Sequence, residues 1–92
     1  MAYVVVAYDI RENSRRLRVS KALLSALDRV QRSVYEGELE EQHLERLRGR
    51  LLPLLEPAED TLRIYTLCAT CRQRVEVHGR GGLVEDPDVW IV

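Results

Sequence analysis

The chain of 92 residues has no long apolar run, no phenylalanine and a single lysine. No apolar stretch approaches the ~20 residues that a membrane-spanning helix needs, so we expect no transmembrane segment. The first residues, 1–4, lack the basic region of a signal peptide, and we therefore expect a cytoplasmic protein. The single lysine is accompanied by 13 arginines, whose planar guanidinium groups bind phosphate with paired donors. The same bias is also typical of some genomes, so it is weak support for phosphate binding.

Cysteine is nearly absent, and the two that exist form a single C-x-x-C, Cys68 to Cys71. Two cysteines are too few for a disulfide framework. A structural zinc needs four ligands, and the only histidines, His43 and His78, fall on different predicted elements. We therefore expect reduced or locally bridged thiols with a structural role. A Gly-rich phosphate loop, a Ser-His-Asp set and an H-x-x-x-H pattern are also missing, which excludes several common enzyme classes.

Charge is distributed unevenly, although the net charge is only −1. The stretch 11–32 carries seven basic and two acidic residues, whereas the stretch 36–60 carries three basic and eight acidic residues. A basic block beside an acidic block is typical of a protein that binds a polyanion on one face and solvent or a partner on another. Charge alone leaves equally open that both blocks are solvated helix faces.

Hydrophobic spacing predicts alternating strands and helices. A β-branched run without alternation is typical of a central strand covered on both faces, and leucines at helical spacing predict two helices. Asn13 or Ser14 is the predicted cap of the first helix. The stretch 28–39 is rich in β-formers and predicts either one bulged strand or a tight hairpin that turns near Ser33. In chain order the predicted elements are strand 3–8, helix 14–27, the extended stretch 28–39, helix 40–52 and strands 61–67, 74–78 and 89–92.

This order indicates an α+β fold in a single domain, 1–92. If the stretch 28–39 is a hairpin, two helices pack on one face of a mainly antiparallel sheet, in a ferredoxin-like βαββαβ sandwich with an extra C-terminal strand. The stretch 79–92 then comprises a Gly-rich linker and a terminal strand that carries the only tryptophan. Four residues are too few for a stable isolated strand, so we expect this strand to pack on a partner subunit. The alternative is that it folds back on its own sheet.

Asp9 is the first candidate for chemistry, because a carboxylate that ends a hydrophobic strand is costly unless it is solvated, hydrogen-bonded or bound to a cation. One aspartate is a poor Mg²⁺ site, yet Mg²⁺ needs only one or two carboxylates when water and phosphate complete its octahedron. A two-fold axis near Asp9 would add the carboxylate of a second subunit. We therefore expect one Mg²⁺ shared by two subunits. The alternative is that Asp9 only caps the following loop.

The arginines near Asp9 are the second candidate. Arg15, Arg16 and Arg18 begin the first predicted helix, and Arg29 begins the next extended stretch. Such groups bind phosphate and set position without reading base sequence. Their grouping near one carboxylate predicts a nucleic-acid-binding surface, although each taken singly is typical of an ordinary surface arginine.

Two tyrosines are the third candidate. Side chains alternate along a strand, so Tyr8 and Asp9 point to opposite faces, and we expect Tyr8 in the core with its hydroxyl at an edge. Tyr35 has two interpretations. Its ring either stacks on a base of a single strand or is a half-buried strand residue.

The order and spacing of several segments resemble the CRISPR-associated protein two family. Its most specific part here is Gln31-x-Ser33-Val34-Tyr35-x-Gly37, at this distance after Tyr8-Asp9-Ile10. The segments that carry the resemblance are Tyr3–Ile10, Arg15–Val19, Arg29–Leu39 and Ile64–Cys68, followed by the turn at Gly79. Two departures stand out: a tyrosine occupies position 35, where the family usually has phenylalanine, and Leu27-Asp28 replaces the glycine often found before Arg29.

The resemblance implies a ferredoxin-like homodimer whose C-terminal strand reaches the partner. It implies a Mg²⁺-dependent endonuclease on single-stranded RNA or double-stranded DNA, and a place beside the CRISPR integrase in spacer acquisition. Asp9 matches the metal-binding aspartate. The positions matched to activity are Tyr8, Arg16, Arg18, Arg29, Ser33 and Tyr35. The alternatives are a non-catalytic dimeric DNA-binding scaffold of the integration complex and a regulatory domain that binds a small ligand.

Overall fold

The computed structural model describes residues 1–79, in which a four-stranded antiparallel sheet carries two main helices on one face. In chain order the elements are β1 (Ala2–Asp9), α1 (Asn13–Leu24), β2 (Asp28–Gln31), β3 (Val34–Leu39), α2 (Glu41–Leu51), a 3-10 turn (Leu52–Leu54), β4 (Thr61–Leu67) and the short α3 (Ala69–Gln73). The strands lie in the order β2-β3-β1-β4, which confirms the predicted α+β ferredoxin-like βαββαβ fold. None of the described helices has the length and apolar character that crossing a membrane requires. The predicted terminal strand 89–92, and the linker from residue 80 onward, lie outside the described residues.

The central strand β1 pairs with β3 on one side and with β4 on the other. Val4, Val6 and Tyr8 face the helices and are buried, whereas Val5 and Ala7 face the other way and are half-buried. The prediction of a strand covered on both faces was therefore wrong for residues 1–79. Strand β1 is central, because it has hydrogen-bonded neighbours on both edges. Helices cover only one of its two faces.

The stretch 28–39 is a tight hairpin, one of the two predicted forms. Strands β2 and β3 pair from Asp28↔Glu36 to Gln31↔Val34, with a register irregularity between Arg29 and Gln31, so the hairpin also contains a bulge. The turn reaches back to the end of β1, because the backbone N–H of Tyr8 donates to the carbonyl of Ser33 at 3.1 Å. This contact places the turn beside Asp9.

Helix α1 is shorter than predicted and has a different cap. It ends at Leu24, three residues before the predicted end at 27. The carboxylate of Glu12 caps its first turn, accepting from the backbone N–H of Ser14 at 2.7 Å and of Arg15 at 2.9 Å, although Asn13 or Ser14 was the predicted cap. A carboxylate suits this end of the helix because its negative charge meets the positive end of the helix dipole. Helix α2 lies within one residue of its predicted bounds.

The predicted strand 74–78 does not form within residues 1–79. Helix α3 precedes this stretch, and the backbone N–H groups of Arg74 and Val75 donate to Cys71 and Arg72 in turns instead of to a neighbouring strand. Val75 and Val77 are 47% and 58% exposed. Alternating valines favour extended backbone, but a strand also needs a pairing partner, and no described strand lies beside this stretch.

An ion pair joins the first turn of α1 to the loop before β4. Arg15 donates from Nε to Asp60 Oδ2 at 2.9 Å and from a terminal nitrogen to Oδ1 at 3.2 Å, and Glu59 lies 3.4 Å from the same guanidinium. The Asp60 side chain is fully buried and also accepts from the backbone N–H of Glu56. The guanidinium of Arg15 is thus occupied by carboxylates and connects two elements. Its predicted role in nucleic-acid binding stays a prediction.

We predict that Arg15→Gln lowers the midpoint of thermal unfolding, because it leaves a buried carboxylate without its cation. The Arg15 guanidinium holds the pKa of Asp60 below its ordinary value of 3.8. Because the folded pKa of Asp60 is lowered, its ionised carboxylate stabilises the fold at a pH above 3.8, and this stability is lost as the pH falls through the folded pKa. The difference in unfolding midpoint between wild type and Arg15→Gln should therefore shrink in acid. The control is Arg48→Gln, which removes an exposed pair with Glu45. Equal unfolding midpoints for both variants would contradict the assignment.

Candidate functional site

A cleft of about 540 Å³ opens at the end of β1. It brings together five of the residues that the sequence singled out. They are Tyr8, Asp9, Arg16, Arg29 and Ser33, and the remaining lining residues are Ile10, Leu17, Ser20 and Arg32. Three elements converge here, because β1 ends at Asp9, α1 begins at Asn13, and the β2–β3 turn is hydrogen-bonded to Tyr8. The cleft is therefore a product of the chain's first 33 residues.

Asp9 is exposed and is the last residue of β1. Strand alternation places it on the face that the helices leave uncovered, the face of Val5 and Ala7. None of the ion pairs among residues 1–79 includes its carboxylate. The same residues contain no group of three or more His, Cys, Asp or Glu side chains that could hold a metal. Asp9 thus offers one hard oxygen ligand, which fits Mg²⁺ when water, phosphate or a second subunit completes the shell.

Arg16 and Arg29 are held in place by uncharged acceptors. Arg16 donates to the backbone carbonyl of Ile10 at 3.1 Å and to Asn13 Oδ1 at 2.6 Å. Arg29 donates to the carbonyl of Arg32 at 3.0 Å. Neither guanidinium takes part in an ion pair among residues 1–79. Both are half-buried, so their orientation is restricted while their positive charge stays available to an anion in the cleft.

Tyr35 lies beneath the cleft and not on its surface. It is fully buried, and its hydroxyl is 2.6 Å from Ser20 Oγ. Its ring stacks on that of Tyr8, with centroids 6.1 Å apart and an angle of 24° between the planes. The ring offers no face to a base, so the base-stacking interpretation was wrong, and the residue is more buried than the alternative assumed. Its pairing opposite Val6 explains this, because directly paired residues share a face of the sheet.

Tyr8 is buried as predicted, and its hydroxyl lies at the cleft, 3.4 Å from the carbonyl of Arg32. Burial, and next the hydrogen bond with Tyr35, raises the pKa of Tyr8 to about 12. The hydroxyl therefore remains protonated near neutral pH. It can donate a hydrogen bond in the cleft, but it does not serve as a base there.

The remaining candidates lie elsewhere or were missed. Arg18 lines a separate groove on the helices, and Cys68 and Cys71 are free thiols that do not line the cleft. Sequence reasoning missed Ser20 and Arg32. Ser20 had a signal, since it is a polar residue within the apolar stripe of α1. Arg32 had none, because only the turn geometry brings it to the cleft.

Sequence comparison shows which known proteins this chain resembles. A family model described as CRISPR associated protein Cas2 matches residues 1–75. The chain is 39% identical over 92 residues to CRISPR-associated endoribonuclease Cas2 1 of Chloroflexus aurantiacus, covering 98% of this chain and 99% of that protein. It is 42% identical over 87 residues to CRISPR-associated endonuclease Cas2 2 of Thermus thermophilus, covering 95% and 92%.

Solved structures agree with the sequence relatives. A hypothetical protein from Thermus thermophilus superposes with a TM-score of 0.78 at 43% identity, covering 89% of this chain and 95% of that one. Streptococcus pyogenes Cas2 superposes with a TM-score of 0.73 at 28% identity, covering 84% and 99%. The matched residues 1–75 contain the four described strands, both main helices and the cleft. This chain therefore belongs to the CRISPR-associated Cas2 family.

Proposed function

We propose that this chain is a Mg²⁺-dependent endonuclease that hydrolyses phosphodiester bonds of single-stranded RNA or double-stranded DNA in CRISPR adaptation and antiviral defence, in the cytoplasm. The observation that carries the proposal is the cleft, which combines one accessible carboxylate, Asp9, with two guanidinium groups that no described carboxylate neutralises. Metal-dependent phosphodiester hydrolysis is served by this combination, because a carboxylate can hold the metal ion and the cations offset the growing charge of the scissile phosphate. Relatives named endoribonuclease and endonuclease support it.

Each residue of the cleft then has a part in the reaction. Asp9 would hold Mg²⁺, which when bound would supply Lewis-acid stabilisation of the phosphate and a lowered pKa for the attacking water. Arg16 and Arg29 donate hydrogen bonds to the phosphate oxygens and offset their charge. Tyr8, protonated at neutral pH, and Ser33 provide hydroxyl groups that orient the phosphate. Arg18 lies outside the cleft, and we assign it to nucleic acid that extends beyond the scissile bond.

Tyr35 positions the cleft without reaching it. Its hydroxyl bonds to Ser20 of α1 while its ring supports Tyr8 of β1, so it connects the helix and the strand that form the two walls. Replacement by the family's more usual phenylalanine would keep the ring stack and remove the 2.6 Å contact to Ser20. The hydroxyl therefore adds a connection that a phenylalanine at this position would lack.

We propose that the active species is a homodimer. The sheet face that the helices leave uncovered presents half-buried Val5 and Ala7, together with Tyr65, which is 47% exposed. Glu36 and Arg63 pair with Val5 and Ala7 and share this face, which is therefore mixed in character. Apolar residues on a sheet face without a helix layer are typical of a surface that packs on another protein. Asp9 ends the same face, so a two-fold-related copy packed there supplies a second carboxylate to one shared Mg²⁺. The stretch 79–92 is proposed to pack on that partner.

A second candidate is a non-catalytic DNA-binding scaffold that joins the CRISPR integrase in spacer integration. The observation that favours it is the single acidic residue in the cleft, with no group of three metal-ligating side chains among residues 1–79. The scaffold needs the arginines but not the carboxylate. Asp9 therefore separates the two functions.

We predict that Asp9→Asn abolishes Mg²⁺-dependent cleavage, with a loss of roughly 100-fold or more, because the amide keeps the shape but removes the metal-binding charge. The measurement is cleavage of RNA and DNA with and without Mg²⁺, with circular dichroism to show that the fold persists. Asp28→Asn is the matched control, since Asp28 is also exposed at the end of a strand but does not line the cleft. Undiminished turnover in Asp9→Asn would leave the scaffold as the function.

We predict that alkali destabilises the fold through Tyr8. Its folded pKa of about 12 exceeds the ordinary value of 10.0, so the stability it contributes is complete below pH 10 and is lost as the pH rises towards 12. Urea unfolding at increasing pH should show this loss in wild type and a weaker dependence in Tyr8→Phe. Tyr65→Phe, which removes a half-exposed hydroxyl, is the control. Identical pH profiles for all three proteins would refute the burial of the Tyr8 hydroxyl.

We predict that removing Val89–Val92 gives a monomer and abolishes metal-dependent cleavage at the same time, because the proposed metal site needs carboxylates from two subunits. Analytical sedimentation measures the first effect, and the nuclease assay measures the second. A truncated protein that stays dimeric and active would show that the terminal residues do not hold the site together.

A further inference from the structure

Two grooves lie on the helix layer, away from the Asp9 cleft, and they share one residue. The first, of about 380 Å³, is bordered by His43, Arg46 and Arg50 of α2. The second, of about 450 Å³, is bordered by Arg18 and Lys21 of α1 and again by Arg50. No carboxylate lines either groove. The two grooves therefore form one continuous basic surface across α1 and α2, which we call the helix-face surface and define by Arg18, Lys21, Arg46 and Arg50.

Helix α2 separates its charges by face, although its sequence lies in the acidic block. At 3.6 residues per turn, positions 43, 46 and 50 fall within roughly 60° of one another. Glu41 and Glu45 fall on the other side of the buried stripe formed by Leu44, Leu47 and Leu51. The acidic block of the sequence is thus not one acidic face, because Arg46 and Arg50 lie on the side of the helix away from Glu41 and Glu45, and Arg50 lines a groove with Arg18 and Lys21.

The charges of the helix-face surface are not neutralised within the described chain. None of its four residues takes part in an ion pair among residues 1–79. The other arginine of α2, Arg48, is paired with Glu45 on the opposite side. Four neighbouring like charges repel one another and destabilise the fold unless an anion binds there. This contrast with Arg48 indicates that the unpaired state is a property of one surface and not of the whole helix.

Arg50 is held in position between the two grooves. Its guanidinium donates to Ser25 Oγ at 3.0 Å, and the Ser25 hydroxyl in turn donates to the carbonyl of Ala22 at 2.6 Å. Both acceptors are uncharged, so the cation keeps its charge while losing freedom of movement. A guanidinium ordered in this way binds a phosphate at a lower entropic cost than a free side chain does.

We propose that the helix-face surface binds the phosphate backbone of a second stretch of nucleic acid, beyond the stretch held at the Asp9 cleft. This inference rests on the proposed function in one respect only, namely that the ligand is a nucleic acid. A row of arginines without carboxylates fits a polymer with one charge per unit along its length. The protein then holds a long nucleic acid at two places, the cleft and the helices, and each contact releases counterions.

The test compares Arg46→Gln combined with Arg50→Gln against the control Arg48→Gln. Glutamine keeps hydrogen bonding and removes the charge of each replaced arginine. The double variant removes two charges from the helix-face surface, whereas the control removes one charge from the opposite side of the same helix. Binding of a fluorescent duplex is measured by anisotropy without divalent ions, over a series of salt concentrations. The double variant should bind about tenfold more weakly near 0.1 M salt. The slope of its logarithmic salt dependence should be shallower by about two. The control should match wild type.

Each outcome decides the proposal. Affinity and salt slope unchanged in the double variant would overturn it. The proposal would also be overturned if the double variant kept its affinity for the duplex but lost its binding to polyglutamate, because the surface would then be a binding site for an acidic protein. If thermal unfolding shows that the double variant does not fold, Lys21→Gln replaces it, with a slope shallower by about one as the expected result. Binding is measured without Mg²⁺, so the outcome does not depend on whether Asp9→Asn abolishes cleavage, and the two proposals can fail separately.

Discussion

Strand β1 makes hydrogen bonds on both of its edges, to β3 and to β4, and the position of the cleft follows from this pairing. With both edges satisfied, the strand cannot slip by one residue without exposing Val4, Val6 and Tyr8 to solvent. Burial of these three side chains therefore fixes the direction in which the next residue points. That residue is Asp9, and it lies on the uncovered face at the end of the strand. The hydrophobic core and the single accessible carboxylate of the cleft are consequences of one register.

The first turns of α1 show how a helix can give neighbouring arginines different tasks. Successive residues point in directions about 100° apart. Arg15 is directed to the buried Asp60, Arg16 lines the cleft, and Arg18 lines the groove shared with α2. The ion pair of Arg15 joins α1 to the loop before β4, so it also restricts where the other two can lie. Of these three arginines, one is thus used for structure, and two remain available for phosphate.

Charge in this chain is organised by surface and not by sequence block. The cleft and the helix-face surface are both basic and both lack neighbouring carboxylates among their lining residues, Asp9 excepted. Their guanidinium groups are oriented by backbone carbonyls and hydroxyl groups, which restrict movement without cancelling charge. The fold therefore presents ordered cations at two places on a protein whose net charge is only −1. Long-range attraction of nucleic acid depends on this local arrangement.

The sequence by itself determined the elements whose pattern is local. The β-branched run of β1 predicted a strand without any periodicity. The leucine stripes of both helices followed from side-chain periodicity, because burial of one face imposes that period. Family-like spacing also assigned seven residues to one site, and the cleft brings together five of them, namely Tyr8, Asp9, Arg16, Arg29 and Ser33. Only the tertiary structure decided the rest. Packing against Val6 buried Tyr35, and a buried carboxylate 45 positions away occupied Arg15. The stretch 74–78 has strand propensity, but no described strand lies beside it. Arg46 and Arg50 belong to the acidic block of the sequence, yet they line the grooves of the helix-face surface. These outcomes depend on contacts between residues distant in the chain, which periodicity does not encode.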